Sequence, residues 1–130
     1  MAVDLNHTIV AAQDPDHSAE WVAEILGLDP PTRFGHFRVV QTGNGVSLDF
    51  LATEGKIVNQ HYAFLVSEEE FDEIYGRITD RELDHWADPM LQQPGEINTR
   101  HGGRGVYWRD LDGHVLEIIT SPYGSGDTTS

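Results

Sequence analysis

The sequence predicts an α+β fold in which one strand–helix–strands module is used twice. Two apolar strands, residues 5–11 and 61–66, each carry a histidine and each run into a helix-start signal. Each half then closes on a glycine-marked hairpin, at Gly43-Asn44-Gly45 and at Asp112-Gly113. The 130 residues suit one domain able to bury a core, and the aromatic residues spread along the chain argue for a folded globule.

In the first half, Leu5-Asn-His-Thr-Ile-Val-Ala11 reads as a strand. Alternation places Leu5, His7 and Ile9 on one face. Asp14-Pro15 supplies an N-cap and a proline at the first helical position. Trp21, Val22, Ile25 and Leu26 recur at helical spacing, and Gly27 ends the helix. Pro30-Pro31 breaks the chain, and strands are expected over 34–42 and 46–52. Residues 54–60 form a connection.

The pattern then restarts. His61-Tyr-Ala-Phe-Leu-Val66 is a strand, and Ser67 with Glu70 is a capping box for a helix whose stripe is Phe71, Ile74, Tyr75 and Ile78. A short strand over 84–87 leads to a long loop, Asp88–Gly103, and to the closing hairpin from Gly105 to Thr120. Module one spans about 3–53 and module two about 60–121 of a single domain over 1–122, with 123–130 a flexible tail.

Composition bounds the partners. Eight Lys and Arg against 22 Asp and Glu give a formal charge of −14. This speaks against nucleic acid, which is held by cations on phosphate, and against an anionic membrane surface. Without cysteine, neither disulfides nor thiolate sites can form. No signal peptide and no run of membrane-spanning length is evident, so a cytoplasmic location is expected. His17 and His114 read as solvated, and His36 and His85 as strand residues at the surface.

The chemistry concentrates on the closing hairpin. Glu117 lies in an apolar strand, and a buried carboxylate must be paired, protonated or metal-bound. A three-residue loop with Gly113 left-handed pairs Asp110 with His114 and puts Tyr107 opposite Glu117; a two-residue loop would put Trp108 there. The alternative for Glu117 is a solvated face. Two imidazoles and a carboxylate, His7, His61 and Glu117, make the facial triad that holds a divalent metal with open positions. Asp49, on the last strand of the first half, roughly matches Glu117.

The motifs Leu5-Asn6-His7, Ile25-Leu26-Gly27-Leu28, His61-Tyr62-Ala63-Phe64 and Tyr107 to Glu117 resemble the vicinal oxygen chelate superfamily of glyoxalases, bleomycin-resistance proteins, fosfomycin-resistance enzymes and extradiol dioxygenases. The resemblance covers about residues 3–122 and implies paired βαβββ modules forming a curved-sheet cup. It implies His7, His61 and Glu117 as ligands of a divalent metal (Fe, Mn, Zn or Ni), with Tyr107 facing the bound substrate. Some relatives use a fourth ligand, for which Asp49 is the candidate. The sequence departs from the family in having Asp110-Leu111-Asp112-Gly113 where relatives usually have proline in the second place. It also has Asn98 near the position of the extra dioxygenase histidine, and Ile9 and Ile97 near positions that hold a phosphonate.

These features imply a metal-dependent enzyme acting on a small oxygen-chelating substrate; the alternative is a metal-free protein that sequesters its ligand. Arg100, His101 and Arg104 cluster in the long loop, and Arg104 and His101 are expected to bind the substrate or else merely to balance acidity. The short connection implies a homodimer whose cups pair modules from different chains.

Overall fold

In the computed structural model, residues 3–123 are described, and the tail expected at 123–130 lies outside them apart from Tyr123. The chain divides into two compact units, Met1–Val58 and Asn59–Ser130.

Unit one runs β1 (His7–Ala12), α1 (Pro15–Leu26), β2 (Thr32–Phe34), β3 (Phe37–Gln41) and β4 (Ser47–Ala52). The sheet order is β1-β4-β3-β2, with β1 and β4 parallel and the other pairs antiparallel. Asp14 caps α1 by accepting from the His17 amide, and Pro15 stands in the first turn. At the other end Gly27 takes φ 72°, a left-handed cap that a β-carbon would strain. The buried residues Val22, Ala23 and Ile25 of the helix join Val10, Val40, Leu48 and Phe50 in the core.

One expectation fails in this unit. The sequence predicts a single strand over 34–42, but two strands occupy 32–41, reversing at Gly35-His36. Gly35 at φ 60° supplies the left-handed step that the tight turn needs. Proline before Thr32 does not delay the new strand, because Thr32–Phe34 is an edge and lends no further ladder bonds.

Unit two repeats the plan with β5 (His61–Leu65), α2 (Glu68–Asp80), β6 (His85–Trp86), β7 (Gly105–Arg109) and β8 (Val115–Ile119), in sheet order β5-β8-β7-β6. The capping box of α2 is complete: Ser67 Oγ accepts from the Glu70 amide, and the Glu70 carboxylate accepts from the Ser67 amide. Phe71, Ile74 and Ile78 of α2 are buried together with Val106, Trp108, Leu116 and Ile118 of the sheet. The long loop before β7 carries a single 3-10 turn, Arg100–Gly102.

The closing hairpin has the three-residue loop. The Asp110 amide donates to the His114 carbonyl at 2.9 Å, Gly113 takes φ 89°, and Tyr107 pairs with Glu117. His114 corrects another reading. It is fully buried, not solvated, and its Nδ1 accepts from the Gln60 amide at 3.0 Å. Its ring is the plug that fixes the connection ahead of β5 to the hairpin. His85 is likewise engaged: Nδ1 donates to the Leu83 carbonyl and Nε2 accepts from Tyr75 Oη.

Candidate functional site

The two faces of the second sheet have opposite characters. Val106, Trp108, Leu116 and Ile118 point to the core, so Tyr107, Glu117, His61, Ala63 and Leu65 share the other face. Ala63 stands opposite Glu117 in the parallel ladder, and its short side chain leaves the carboxylate room to reach His61 diagonally. His61 Nε2 donates to Glu117 Oε1 at 2.9 Å. The Tyr107 ring meets the His61 ring edge-on, with centroids 5.8 Å apart.

Glu117 is therefore on the site face, not a solvated one, and only 7% of it is exposed. Burial, then the hydrogen bond to Glu117 and the charge of that carboxylate, pushes the Tyr107 phenol well above its usual range. Arg100 acts in the opposite direction. Tyr107 is thus a protonated donor poised beside a carboxylate and an imidazole.

His7 lies in the other unit, at the start of β1 and exposed. Its Nδ1 donates to Asn6 Oδ1 at 2.8 Å, which leaves Nε2 as the lone-pair nitrogen. His7, Ser47, Asp49, Val39 and Gln41 line a cleft of about 460 Å³ on that face, together with Phe34 and Phe37. Asp49 is buried and accepts from Ser47 Oγ at 2.8 Å. This cleft is not foreseen from the sequence, because the Phe34–Phe37 pairing that frames it arises from the reversal at Gly35-His36 within the single strand expected over 34–42.

His61 and Glu117 fit a divalent ion in donor chemistry, an imidazole nitrogen and a carboxylate oxygen side by side, once an ion takes the place of the proton that now joins Nε2 to Oε1. Among the described residues, no three His, Asp or Glu side chains of one chain are placed to hold an ion. The two loop residues expected at the substrate, Arg104 and His101, each make contacts within the second unit. Arg104 donates to Glu68 at 2.7 Å and to Asp72 at 2.9 Å, and its guanidinium lies 4.3 Å over the Phe71 ring. His101, at φ 58°, lies against Tyr123 with ring centroids 4.8 Å apart.

The chain is 64% identical to the solved structure of oxidase ChaP-H1, covering 95% of this chain and 100% of that one, with a TM-score of 0.93. The chain belongs to the vicinal oxygen chelate superfamily. It is 27% identical to glutathione transferase FosA of Serratia marcescens over 91% of this chain and 81% of that protein. It is also 25% identical to metallothiol transferase FosB of Shouchella clausii (strain KSM-K16), over 92% and 82%. No family model matches the chain. These relatives make it a VOC enzyme and give no support to the metal-free sequestering alternative. Among the described residues, no helix is long and apolar enough to cross a membrane.

Proposed function

We propose that this chain is a divalent-metal-dependent VOC enzyme that oxidises a small substrate bearing two neighbouring oxygens, with His7, His61 and Glu117 as the metal ligands. The observation that carries the reading is the 2.9 Å pairing of His61 with a buried Glu117 beneath Tyr107. The oxidative assignment leans on the 64% identity to a chain described as an oxidase. A bound divalent ion would act as a Lewis acid on the substrate's oxygens and, as Fe(II), would also open chemistry with dioxygen. Tyr107 offers its phenolic O–H as a hydrogen-bond donor to a substrate oxygen, because burial and the neighbouring carboxylate keep the proton on it. Ala63 and Leu65 give the substrate an apolar floor on the same face. Of the loop cations, Arg104 serves to anchor the strand entry to α2, and His101 with Tyr123 closes the rim.

The reading includes a cytoplasmic homodimer. Ile9 and Phe34 stand 51% and 73% exposed in the single chain, apolar surface of a kind that a second copy would cover. The connection at 54–60 spans at most roughly 25 Å. In the dimer, His7 of one subunit would meet His61 and Glu117 of the partner subunit. Two measurements test this. Protein purified without a histidine tag should carry about one transition-metal ion per chain; none after supply of Fe, Mn, Zn and Ni in turn would end the metal reading. A heterodimer of His7→Ala with Glu117→Ala should regain one intact site from its unmutated halves. A verified heterodimer with no recovered metal binding would rule out the shared site.

A further inference from the structure

His114 is a buried polar side chain that the proposed chemistry does not use. Its ring is fully buried at the foot of β8, the strand that carries Glu117. The closing turn leaves it little freedom. The His114 amide donates to Asp110 Oδ1 at 2.8 Å, and its carbonyl accepts from the Asp110 amide at 2.9 Å. From this fixed point the ring reaches to the neighbouring strand, at both sequence neighbours of His61. Nδ1 accepts from the Gln60 amide at 3.0 Å. The ring also meets the Tyr62 ring edge-on, with centroids 5.8 Å apart. His61 itself points to the opposite face, where Nε2 meets Glu117 Oε1. His114 thus holds the residues on either side of His61 from the core side of the sheet. Two backbone features add to the hold. The Val115 amide donates to the Gln60 carbonyl at 2.9 Å, and a β-carbon on Gly113 would meet Asn59 Oδ1 at 3.1 Å.

The first unit has the backbone tie without the side-chain tie. Its hairpin closes from Thr42 to Val46, and the Ser47 amide donates to the Asn6 carbonyl at 3.0 Å. The counterpart of His114 there is Val46, whose side chain has no acceptor. In that unit the histidine and the carboxylate go separate ways, His7 to Asn6 and Asp49 to Ser47. Only the second unit has both an acceptor at the foot of the hairpin and a joined histidine–carboxylate pair. Donors to an ion work when they are held within about 0.5 Å of the productive geometry, and that precision comes from the residues behind them.

We infer, on the metal-site reading proposed above, that His114 is a positioning residue: it sets the spacing of His61 and Glu117 and through it their affinity for a divalent ion.

The test separates the acceptor from the bulk of the ring in the full-length protein. His114→Asn keeps an oxygen where Nδ1 lies and loses the ring. His114→Phe keeps a ring and loses the acceptor. Zn(II) affinity is measured by calorimetry, and the thermal midpoint is measured without metal. Both variants should lose midpoint, the first through the cavity and the second through the orphaned Gln60 amide. Zn(II) affinity should follow the acceptor alone. His114→Phe should bind about tenfold or more weakly, the loss seen when a ligand loses its outer partner, while His114→Asn stays near the parent. The parent gives a check that needs no variant. By linkage, a bond that strengthens Zn(II) binding is itself strengthened by Zn(II), so amide exchange at Gln60 should slow on loading. A His114→Phe protein that binds Zn(II) no more weakly than His114→Asn would overturn the inference alone. So would a parent that binds Zn(II) with unaltered exchange at Gln60, a result that decides the matter even if a variant does not fold. A parent that binds no Zn(II), Mn(II), Fe(II) or Ni(II) would bring down the metal reading and this inference together.

Discussion

In the first unit Asp49 sits between Ile9 and Val39; in the second Glu117 sits between Ala63 and Tyr107. The ladders thus equate Asp49 with Glu117, and His7 with His61. The hairpins before these carboxylates agree as well. Thr42 and Val46 close one turn and Asp110 and His114 the other, with Gly45 at φ 85° and Gly113 at φ 89°. Yet only one carboxylate reaches its histidine. Glu117 is a methylene longer and pairs with His61 at 2.9 Å, whereas Asp49 is taken by Ser47 Oγ at 2.8 Å. The counterpart of Ser47 is Val115, which has no hydroxyl to offer. His7 turns instead to Asn6. One frame thus gives a carboxylate–imidazole pair or a lone imidazole, according to two side chains.

The largest test of this asymmetry is a pair of charge-removing substitutions. Glu117→Gln should lower metal affinity by more than about 100-fold and nearly abolish turnover, since it removes a ligand where loss of even an outer partner costs about 10–100-fold. Asp49→Asn should lower affinity by less than about tenfold, the low end of an outer-partner effect. Comparable losses in both proteins would make Asp49 a fourth ligand and erase the distinction. Calorimetric titration of each variant with Mn(II) or Zn(II) decides it.

A second difference lies one alternate residue along the central strand. Gly105 occupies the position that Phe37 holds in the first unit. There the chain turns back across Gly35-His36, while in the second unit residues 87–104 intervene and bring Asn98 alongside the strand, bridged to Gly105. Gly105→Ala should destabilise by about 1–3 kcal/mol, because the new methyl meets the Asn98 side chain and the overpacking is relieved only by shifting that side chain from the Ala87 carbonyl. Urea denaturation measures it. An unchanged midpoint would show that the segment yields freely.

How far the sequence spoke for itself follows from these residues. Capping boxes, terminating glycines and the Asp110–His114 hairpin are local, so Asp14, Ser67, Gly27 and Gly113 announced their roles. The facing of Tyr107 and Glu117 followed from the turn once its length was chosen. Local rules failed where the decision was tertiary. Gly35-His36 does not advertise a turn in a run of strand formers, and the burial of His114 depends on Gln60, which is remote in sequence. The pairing of Arg104 with Glu68 and Asp72, on which no expectation was staked, is also a contact that only folding makes, by bringing α2 beside the entry to β7. The capture of Asp49 by Ser47 is local, two residues apart, but whether Glu117 or Asp49 finds its histidine turns on side-chain reach.

The turns themselves can be separated by pH. Asp110 is buried, and burial raises its carboxyl above the ordinary value, partly offset by His114 and the amides it accepts from. A group raised in the folded state stabilises most when protonated, and that contribution is lost as pH rises through its folded value. Asp110→Asn keeps the Oδ1 acceptor for the His114 and Asp112 amides but cannot ionise. The variant should therefore gain stability relative to the parent as pH climbs from about 3 toward neutrality. Thr42, the neutral counterpart, gives a control: Thr42→Ser should leave the pH profile parallel to the parent's. Thermal midpoints across that range check both, and a parallel Asp110→Asn profile would mean that the amides Asp110 accepts from fully offset burial.

The smallest effect is expected at the centre of the second core. Trp108 is fully buried, and among the described residues its indole N–H has no acceptor. Its counterpart in the first unit is Val40, also fully buried and wholly apolar. An unsatisfied buried donor costs about 1–3 kcal/mol. Trp108→Phe removes that donor but leaves part of the indole volume empty, and the two terms oppose. The net change should fall within about 1 kcal/mol, although the deletion is large. Val40→Ala removes two methylene equivalents with nothing to offset them and should cost roughly 2 kcal/mol. The smaller truncation in the first unit is thus predicted to destabilise more than the larger one in the second. Urea midpoints at equal m-values compare them directly. A loss of about 3 kcal/mol or more for Trp108→Phe would mean that the indole N–H is satisfied in solution, by an ordered water in the core, and that the packing term alone governs both sites.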